Sequence, residues 1–281
     1  MLRYYAIALA LLANPAPSAA SEVPDAAVAI ESDLGVIGAS PSKWRIGMAL
    51  GYGVRTNPLI QSEDIPIVVD LDIAWFGERF FFDNGDLGLT MTDNEWLTLS
   101  AITRINSDRV FFGRTDTRFV RLNAGTAQQL DVEVTVPDRD YALELGAEIL
   151  TDGNWGQLQF AAFHDVSGTH GGYEVSASYT FGVRRQRWYL EPSIGASYKS
   201  DKLNSYYWGV EPEESSPALP AYEPGSGTNV ELRLMGNYQL TPYWTLSVVA
   251  EVERMNDPAA ASPIVSDDYV YGFFAGFGYR F

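Results

Sequence analysis

The residues with the strongest claim to chemistry stand together. His164 and His170 are the only two histidines, and both fall in HDVSGTHGG (164–172), with Asp165 beside the first. An imidazole held by a carboxylate can take a proton from water. On an extended chain, however, adjacent side chains point to opposite sides, so His164 and Asp165 share a reaction centre only across a turn. The stretch therefore reads as loop. No glycine-rich phosphate loop leads a strand into a helix, and no serine nucleophile elbow is present. With no cysteine there is no disulfide, haem thioether or thiolate metal site. The residues point to a non-enzyme without cofactor or metal.

A second group of titratable residues is spaced rather than clustered. Asp70, Asp72, Glu144, Glu148, Glu174, Glu191, Glu231, Glu251 and Glu253 alternate with apolar neighbours, and so do Arg45, Arg184, Lys199, Arg233 and Arg280. These are the side chains of a polar face whose opposite face is apolar. If that polar face encloses water, the excess of carboxylates favours cations. If it is filled, the same charges pair across the interior with Gly, Ser and Gln between them.

The elements that must carry them follow from the same period of two. In VYGFFAGFGYRF (270–281), Tyr271, Phe273, Ala275, Phe277, Tyr279 and Phe281 make one aromatic stripe. Trp44, Ile46, Met48, Leu50, Tyr52 and Val54 make another, and Ile65, Ile67, Val69, Leu71, Ile73 and Trp75 a third. Further segments at 79–82, 87–91, 96–104, 141–150, 157–163, 173–183, 188–198, 230–240 and 244–252 bring the expected count to twelve strands. Most have the length that a tilted membrane-crossing strand requires. The segment 105–140 carries an alternation of its own (Leu130, Val132, Val134, Val136), read as a hairpin beyond the membrane or as two added strands. Ten and fourteen are the alternative counts.

Soluble sandwiches also use amphipathic strands, but their connections and aromatics are not sorted by polarity. Here the turns on one side are short (77–78, 92–95, 151–156, 184–187, 241–243), while those on the other include 55–64, 105–140, 164–172, 199–229 and 254–268. Trp44, Trp75, Trp96, Trp188 and Trp244 fall at the short-turn end with Tyr279 and Phe281, and Trp155 lies in a turn there. Tyr52, Tyr141, Tyr173, Tyr198, Tyr269 and Tyr271 fall at the other end. Two aromatic girdles with short periplasmic turns define an all-β, antiparallel transmembrane barrel of the bacterial outer membrane. Lipid and lipopolysaccharide are then its immediate partners. Asp267-Asp268 and Glu213-Glu214 read as solvated loop charge, or as a divalent-ion bridge to lipopolysaccharide.

The first residues, MLRYYAIALALLANPAPSAA, have a basic start, a short apolar core and small residues before Ser21, the pattern of a cleaved secretion signal (1–20). An acidic periplasmic segment (21–43) and the barrel (44–281) follow. Acidic residues outnumber basic ones 36 to 19, for a net charge of −17, which argues against nucleic acid as a partner.

The long outer connection NSYYWGVEPEESSPALPAYEPGSGTNVELRLMGNYQLTPYWTL (204–246) is distinctive. With PIVVDLDIAWFGERFFFDNGDLGLTM (66–91), DVSGTHGGYEVSASY (165–179) and FAGFGYRF (274–281), it resembles the family of MltA-interacting proteins and OmpV-like outer-membrane proteins. The chain departs from the family's usual Pro-x-Tyr-x-Gly-Ser stretch after the first strand, where NPLIQSEDIP stands. The resemblance implies an outer-membrane protein tied to the murein machinery, acting as a scaffold between a lytic transglycosylase and a murein synthase. Other members are described as adhesins, osmotic-response proteins or porin-like barrels, so a channel for small solutes or cations and a surface receptor are the alternatives. No family catalytic residue is carried over. The terminal Tyr-Arg-Phe resembles the signal by which the barrel assembly machinery recognises a last strand.

Overall fold

Each of the twelve alternating stretches becomes a wall strand, because one face meets lipid and the other the interior. The computed structural model describes residues 43–114, 118–124 and 128–279. The leader, residues 21–42, Arg280 and Phe281 lie outside the described residues. In chain order the strands are β1 (Lys43–Arg55), β2 (Ile65–Phe76), β3 (Phe80–Asp83), β4 (Asp86–Asn94) and β5 (Leu97–Ile105). A 3-10 helix (Ser107–Arg114) and a separate hairpin, β6 (Arg118–Ala124) with β7 (Gln128–Val134), follow. Then come β8 (Leu143–Gly153), β9 (Gly156–Asp165), β10 (Tyr173–Thr180), β11 (Val183–Arg185) and β12 (Trp188–Lys199). Helix α1 (Asp201–Trp208), β13 (Gly227–Gln239), β14 (Trp244–Arg254), a helical turn (Asp257–Ala260) and β15 (Tyr269–Tyr279) complete the chain.

The sheet runs β10-β9-β8-β5-β4-β3-β2-β1-β15-β14-β13-β12-β11 and closes through β10–β12 pairing. Its thirteen segments make twelve strands, because β10 and β11 are two pieces of one strand on the same partner. The interruption has a local cause. Pro192 of β12 has no N–H to give to the ladder, and opposite it Phe181-Gly182 leaves the strand, although Phe181 N still donates to Pro192 O at 3.0 Å. Closure leaves the wall without free edges, which matters where an unsatisfied backbone group costs several kcal/mol. The 105–140 segment adds no wall strands: β5 pairs directly with β8, and β6–β7 form their own two-stranded sheet.

β3 is short, so it meets β2 only over Ala74–Phe76. Asn84 finishes the contact, its side-chain oxygen accepting Ile73 N–H and its own N–H donating to Ile73 O, both at 2.9 Å. Asn84 and Gly85 take φ of 48° and 108°, the left-handed pair a two-residue hairpin needs.

One stripe differs from the sequence pattern. β1 carries an extra residue between Leu50 and Gly53, so that Gly51 and Tyr52 oppose Val68. β2 loses phase there. Val68 turns outward, while Ile65 and Ile67, expected on the lipid face, are buried inside. The bulge is tight: a Cβ on Gly51 would sit 2.2 Å from the Ala275 carbonyl oxygen.

At the outer end the long loops fold into one cap. α1 is capped by Ser200, whose Oγ accepts from Leu203 N, and it buries Leu203, Asn204, Tyr207 and Trp208 on one face. Phe111 and Phe112 of the 3-10 helix pack on Trp208 at 5.9 and 5.8 Å between ring centroids. Leu59, Leu219, Met255, Ile264 and the inward Ile65, Ile67 and Phe274 complete this core. Arg139 clamps the loop with a two-pronged ion pair to Glu214 at 2.7 and 2.9 Å.

Candidate functional site

Beneath the cap lies a layer of buried charge, built by strand register. Arg104 of β5 is the cross-strand partner of Glu144 of β8, which in turn opposes Asp165 of β9. Arg104 Nε donates to Glu144 Oε2 at 2.8 Å and its Nη2 to Glu174 Oε1 at 3.0 Å, with the guanidinium 3.8 Å above the centre of the Phe163 ring. Asn106 Nδ2 donates to the other Glu144 oxygen at 2.8 Å, and His170 Nε2 stands 3.3 Å from it. Opposite Glu174 in register on β12, Lys199 Nζ grips both oxygens of Asp108 at 2.6 and 2.8 Å. Arg55 reaches Glu253 at 3.3 Å and Glu251 at 3.6 Å. A run of asparagines joins this layer to the cap: Asn229 donates to Glu253 at 2.6 Å, Asn256 to Asn229 at 2.7 Å, and Asn204 of α1 to Asn256 at 3.1 Å.

Below the layer the interior is hollow. A cavity of about 620 Å³ extends from Arg55, Arg104 and Lys199 down to Gly77, Glu78, Asp93 and Thr180 at the short-turn end. Its walls carry Asp86, Glu148, Glu231, Glu251 and Arg233. The interior is thus packed with paired charge at its outer end and hollow toward its inner end.

The lumen residues inferred from parity can now be placed. Glu144, Glu191 and Glu251 are buried inside the wall, and Asp70, Asp72, Glu148, Glu231 and Arg233 are half-buried there. Glu144 and Glu251 join the charged layer, Glu148 accepts from Gln159, and Glu191 accepts from the Tyr189 hydroxyl. Asp72 accepts from Asn84 Nδ2 at 3.3 Å, and Arg233 opposes Glu251 in register. Arg280 lies outside the described residues, as does the side chain of Arg45. Of the interface aromatics, Trp44 and Trp75 are cross-strand partners 6.5 Å apart, Trp244 meets Tyr279 at 4.9 Å, and Trp96 and Trp188 are exposed. Phe281 lies outside the described residues.

The pattern did not single out Arg55, Arg104, Asn106 and Asp108. Parity was the available signal for the first two, since Arg55 follows Gly47, Ala49, Gly51 and Gly53, and Arg104 follows Thr98, Ser100 and Ile102. Asn106 and Asp108 lie past the end of β5, where parity stops.

The histidines do not form a reaction centre. His164 faces outward from β9 and Asp165 inward. The Asp165 carboxylate winds the loop around itself, accepting from Ser167 N and Oγ, Gly168 N, His170 N and Gly171 N at 2.6–3.2 Å. His170 Nδ1 accepts Gly172 N–H at 2.9 Å. A carboxylate with all its lone pairs engaged holds a turn rather than abstracting a proton. Among the described residues no cluster of three or more His, Asp or Glu is arranged to hold a metal ion. In the cap, burial alone would raise the Glu214 pKa. The hydrogen bonds from Arg139 and the Glu211 backbone, with the Arg139 charge, hold it below its ordinary value instead.

A closed twelve-stranded wall with an apolar outer face, two aromatic girdles and a polar lumen defines an outer-membrane β-barrel. The chain belongs to the MltA-interacting protein MipA family, whose profile matches residues 46–281. It is 27% identical over 214 residues to outer membrane protein OmpV of Vibrio cholerae, covering 76% of this chain and 72% of that one. Outer membrane protein Omp26La of Vibrio anguillarum is similar over the same shares at 26%. The MltA-interacting protein of Escherichia coli K12 is 29% identical over 93 residues, 33% of this chain and 38% of its own. Among solved structures, a Pseudomonas aeruginosa FadL homologue is similar with a TM-score of 0.42 at 12% identity, covering 85% of this chain and 78% of its own. OmpT of Vibrio cholerae gives 0.36 at 6%, over 88% and 100%.

Proposed function

We propose that this protein is a non-enzymatic scaffold of the cell envelope, presenting its periplasmic end to murein-processing enzymes. The observation that carries the reading is the asymmetry of the barrel: among the described residues, ion pairs and a packed cap cover its outer mouth, and its cavity runs from that layer down to the periplasmic turns. The surface left for partners inside the envelope is the rim of short turns with the 21–43 segment attached to β1. The relative named for interacting with MltA supports a lytic transglycosylase as one partner; a murein synthase at the other end of the bridge is what the family resemblance implies. The test is a pull-down from solubilised envelopes with the mature barrel, beside a variant lacking residues 21–42. Enrichment of a lytic transglycosylase, lost in the variant, is the expected result. If the intact barrel retains no murein enzyme, the scaffold reading fails.

A porin-like role is the second reading, favoured by the carboxylate-rich cavity. Conduction through it requires the cap to move aside, so native barrels in a planar bilayer should be closed, and a barrel without residues 201–226 should pass cations in preference to anions.

A further inference from the structure

At the periplasmic end, β11 and the turn at Gln186-Arg187 bring three arginines (184, 185 and 187) to the aromatic belt of a chain that is otherwise strongly acidic. Arg185 is the cross-strand partner of Trp188, and Trp188 is the partner of Tyr238, so the three stand in one row on three adjacent strand segments. Trp188 is 53% exposed on the lipid-facing side, with its ring 4.6 Å from that of Tyr238. Arg185, on the same face, is exposed too, whereas Arg184 turns the other way and lies over the Tyr189 ring at 5.3 Å. The turn is fixed. Gln186 takes φ 55°, and Arg187 O accepts from Gln239 N at 2.9 Å. Arg187 is exposed beside it, and neither Arg185 nor Arg187 has an acidic partner among the described residues.

An arginine on the lipid side of an aromatic belt sits at headgroup depth, where its fork matches a phosphate. The geometry points to a binding site for an anionic glycerophospholipid of the periplasmic leaflet: Arg185 and Arg187 hold the headgroup phosphate, and Trp188 with Tyr238 packs against the glycerol and upper acyl chains. The overall charge of −17 repels anions, so retention of such a lipid is the work of a local site and not of the protein's general field.

The folded barrel in neutral detergent is titrated with phosphatidylglycerol or phosphatidylcholine, and bound lipid is read by native mass spectrometry. Arg185→Gln/Arg187→Gln is expected to weaken phosphatidylglycerol by about 30-fold while leaving phosphatidylcholine unchanged. Arg185→Lys/Arg187→Lys, which keeps the charges, should retain most of the binding. Arg79→Gln removes one exposed charge from the same end outside the row and should change little. An unaltered phosphatidylglycerol affinity in the double glutamine variant overturns the site, as does an equal loss in Arg79→Gln, which would mean diffuse charge. Displacement of the lipid by glycerophosphate or inorganic phosphate at equal concentration overturns the lipid assignment in favour of a free phosphate. Loss of a retained periplasmic protein, with lipid binding intact, overturns it in favour of a protein contact.

Discussion

Replacing Glu144 by alanine tests the charged layer at its centre. The side chain has no exposed surface, and its two oxygens receive Arg104 and Asn106 at 2.8 Å each, with His170 Nε2 at 3.3 Å. Hydrogen bonds to a charged group contribute about 1.5–3 kcal/mol each, but summing them overcounts, because the desolvation of one carboxylate opposes all of them. The better guide is the cost of removing one member of a buried ion pair, about 3–5 kcal/mol. Glu144→Ala leaves Arg104 with Glu174 alone and strips Asn106 of its side-chain acceptor, so the lower half of that range applies, about 3–4 kcal/mol. Glu144→Gln should cost less, since its amide oxygen still accepts one donor while its NH2 faces another. The assay is equilibrium urea unfolding of the barrel in lipid vesicles by tryptophan fluorescence, comparing midpoints at constant slope. Because Glu144 and Glu174 share Arg104, the double alanine variant should also depart from additivity. A Glu144→Ala midpoint within about 0.5 kcal/mol of the native value would refute the reasoning.

Three further outcomes are expected. The Glu214 carboxyl titrates lower in the folded cap than in the unfolded chain, so the stability it contributes is complete above the unfolded value of about 4.3 and is lost as pH falls through the folded one; the protection of residues 209–226 against hydrogen exchange, relative to the free-peptide rate at each pH, should fall with acid in that window, and Glu214→Gln should remove the dependence. Gly51→Ala should destabilise the barrel by at least about 1–3 kcal/mol, since the new methyl meets the Ala275 carbonyl within the bulge, and thermal unfolding reads this directly. The phase change in β2 is checked with nitroxide labels on single cysteines, which is clean because the chain has none of its own: a label at Val68 should be relaxed by lipid-dissolved oxygen and one at Ile67 protected, the reverse of strict alternation.

The wall was legible in the sequence because lipid and lumen impose opposite demands on successive residues, so Trp44 to Tyr52 and Tyr271 to Tyr279 declare their outward face without help from any neighbour. Legibility failed where a second strand intervenes. Ile65 and Ile67 belong by alternation to the stripe of Val69 and Leu71, and what turns them inward is the extra residue in β1, a feature of the partner strand. The same limit applies to the break at Phe181-Gly182, whose cause, Pro192, lies across the ladder.

The site was legible in its members and not in its pairing, for the same physical reason. Parity places Glu144, Glu251 and Lys199 inside the wall. The partners that neutralise Glu144 and Lys199, however, come from the end of β5 and the 3-10 helix, and Lys199 meets an Asp108 distant in sequence. Burial of so many ions is tolerable only where each finds a counter-charge, and such matches are dense at the capped end and sparser along the cavity walls. A channel built for through-passage would gain nothing from a hydrophobic cap whose asparagine run, Asn204 to Asn256 to Asn229, ties it to the wall. The scaffold reading proposed above is compatible with such a cap, because it places the partner contacts on the short turns at the opposite end of the wall.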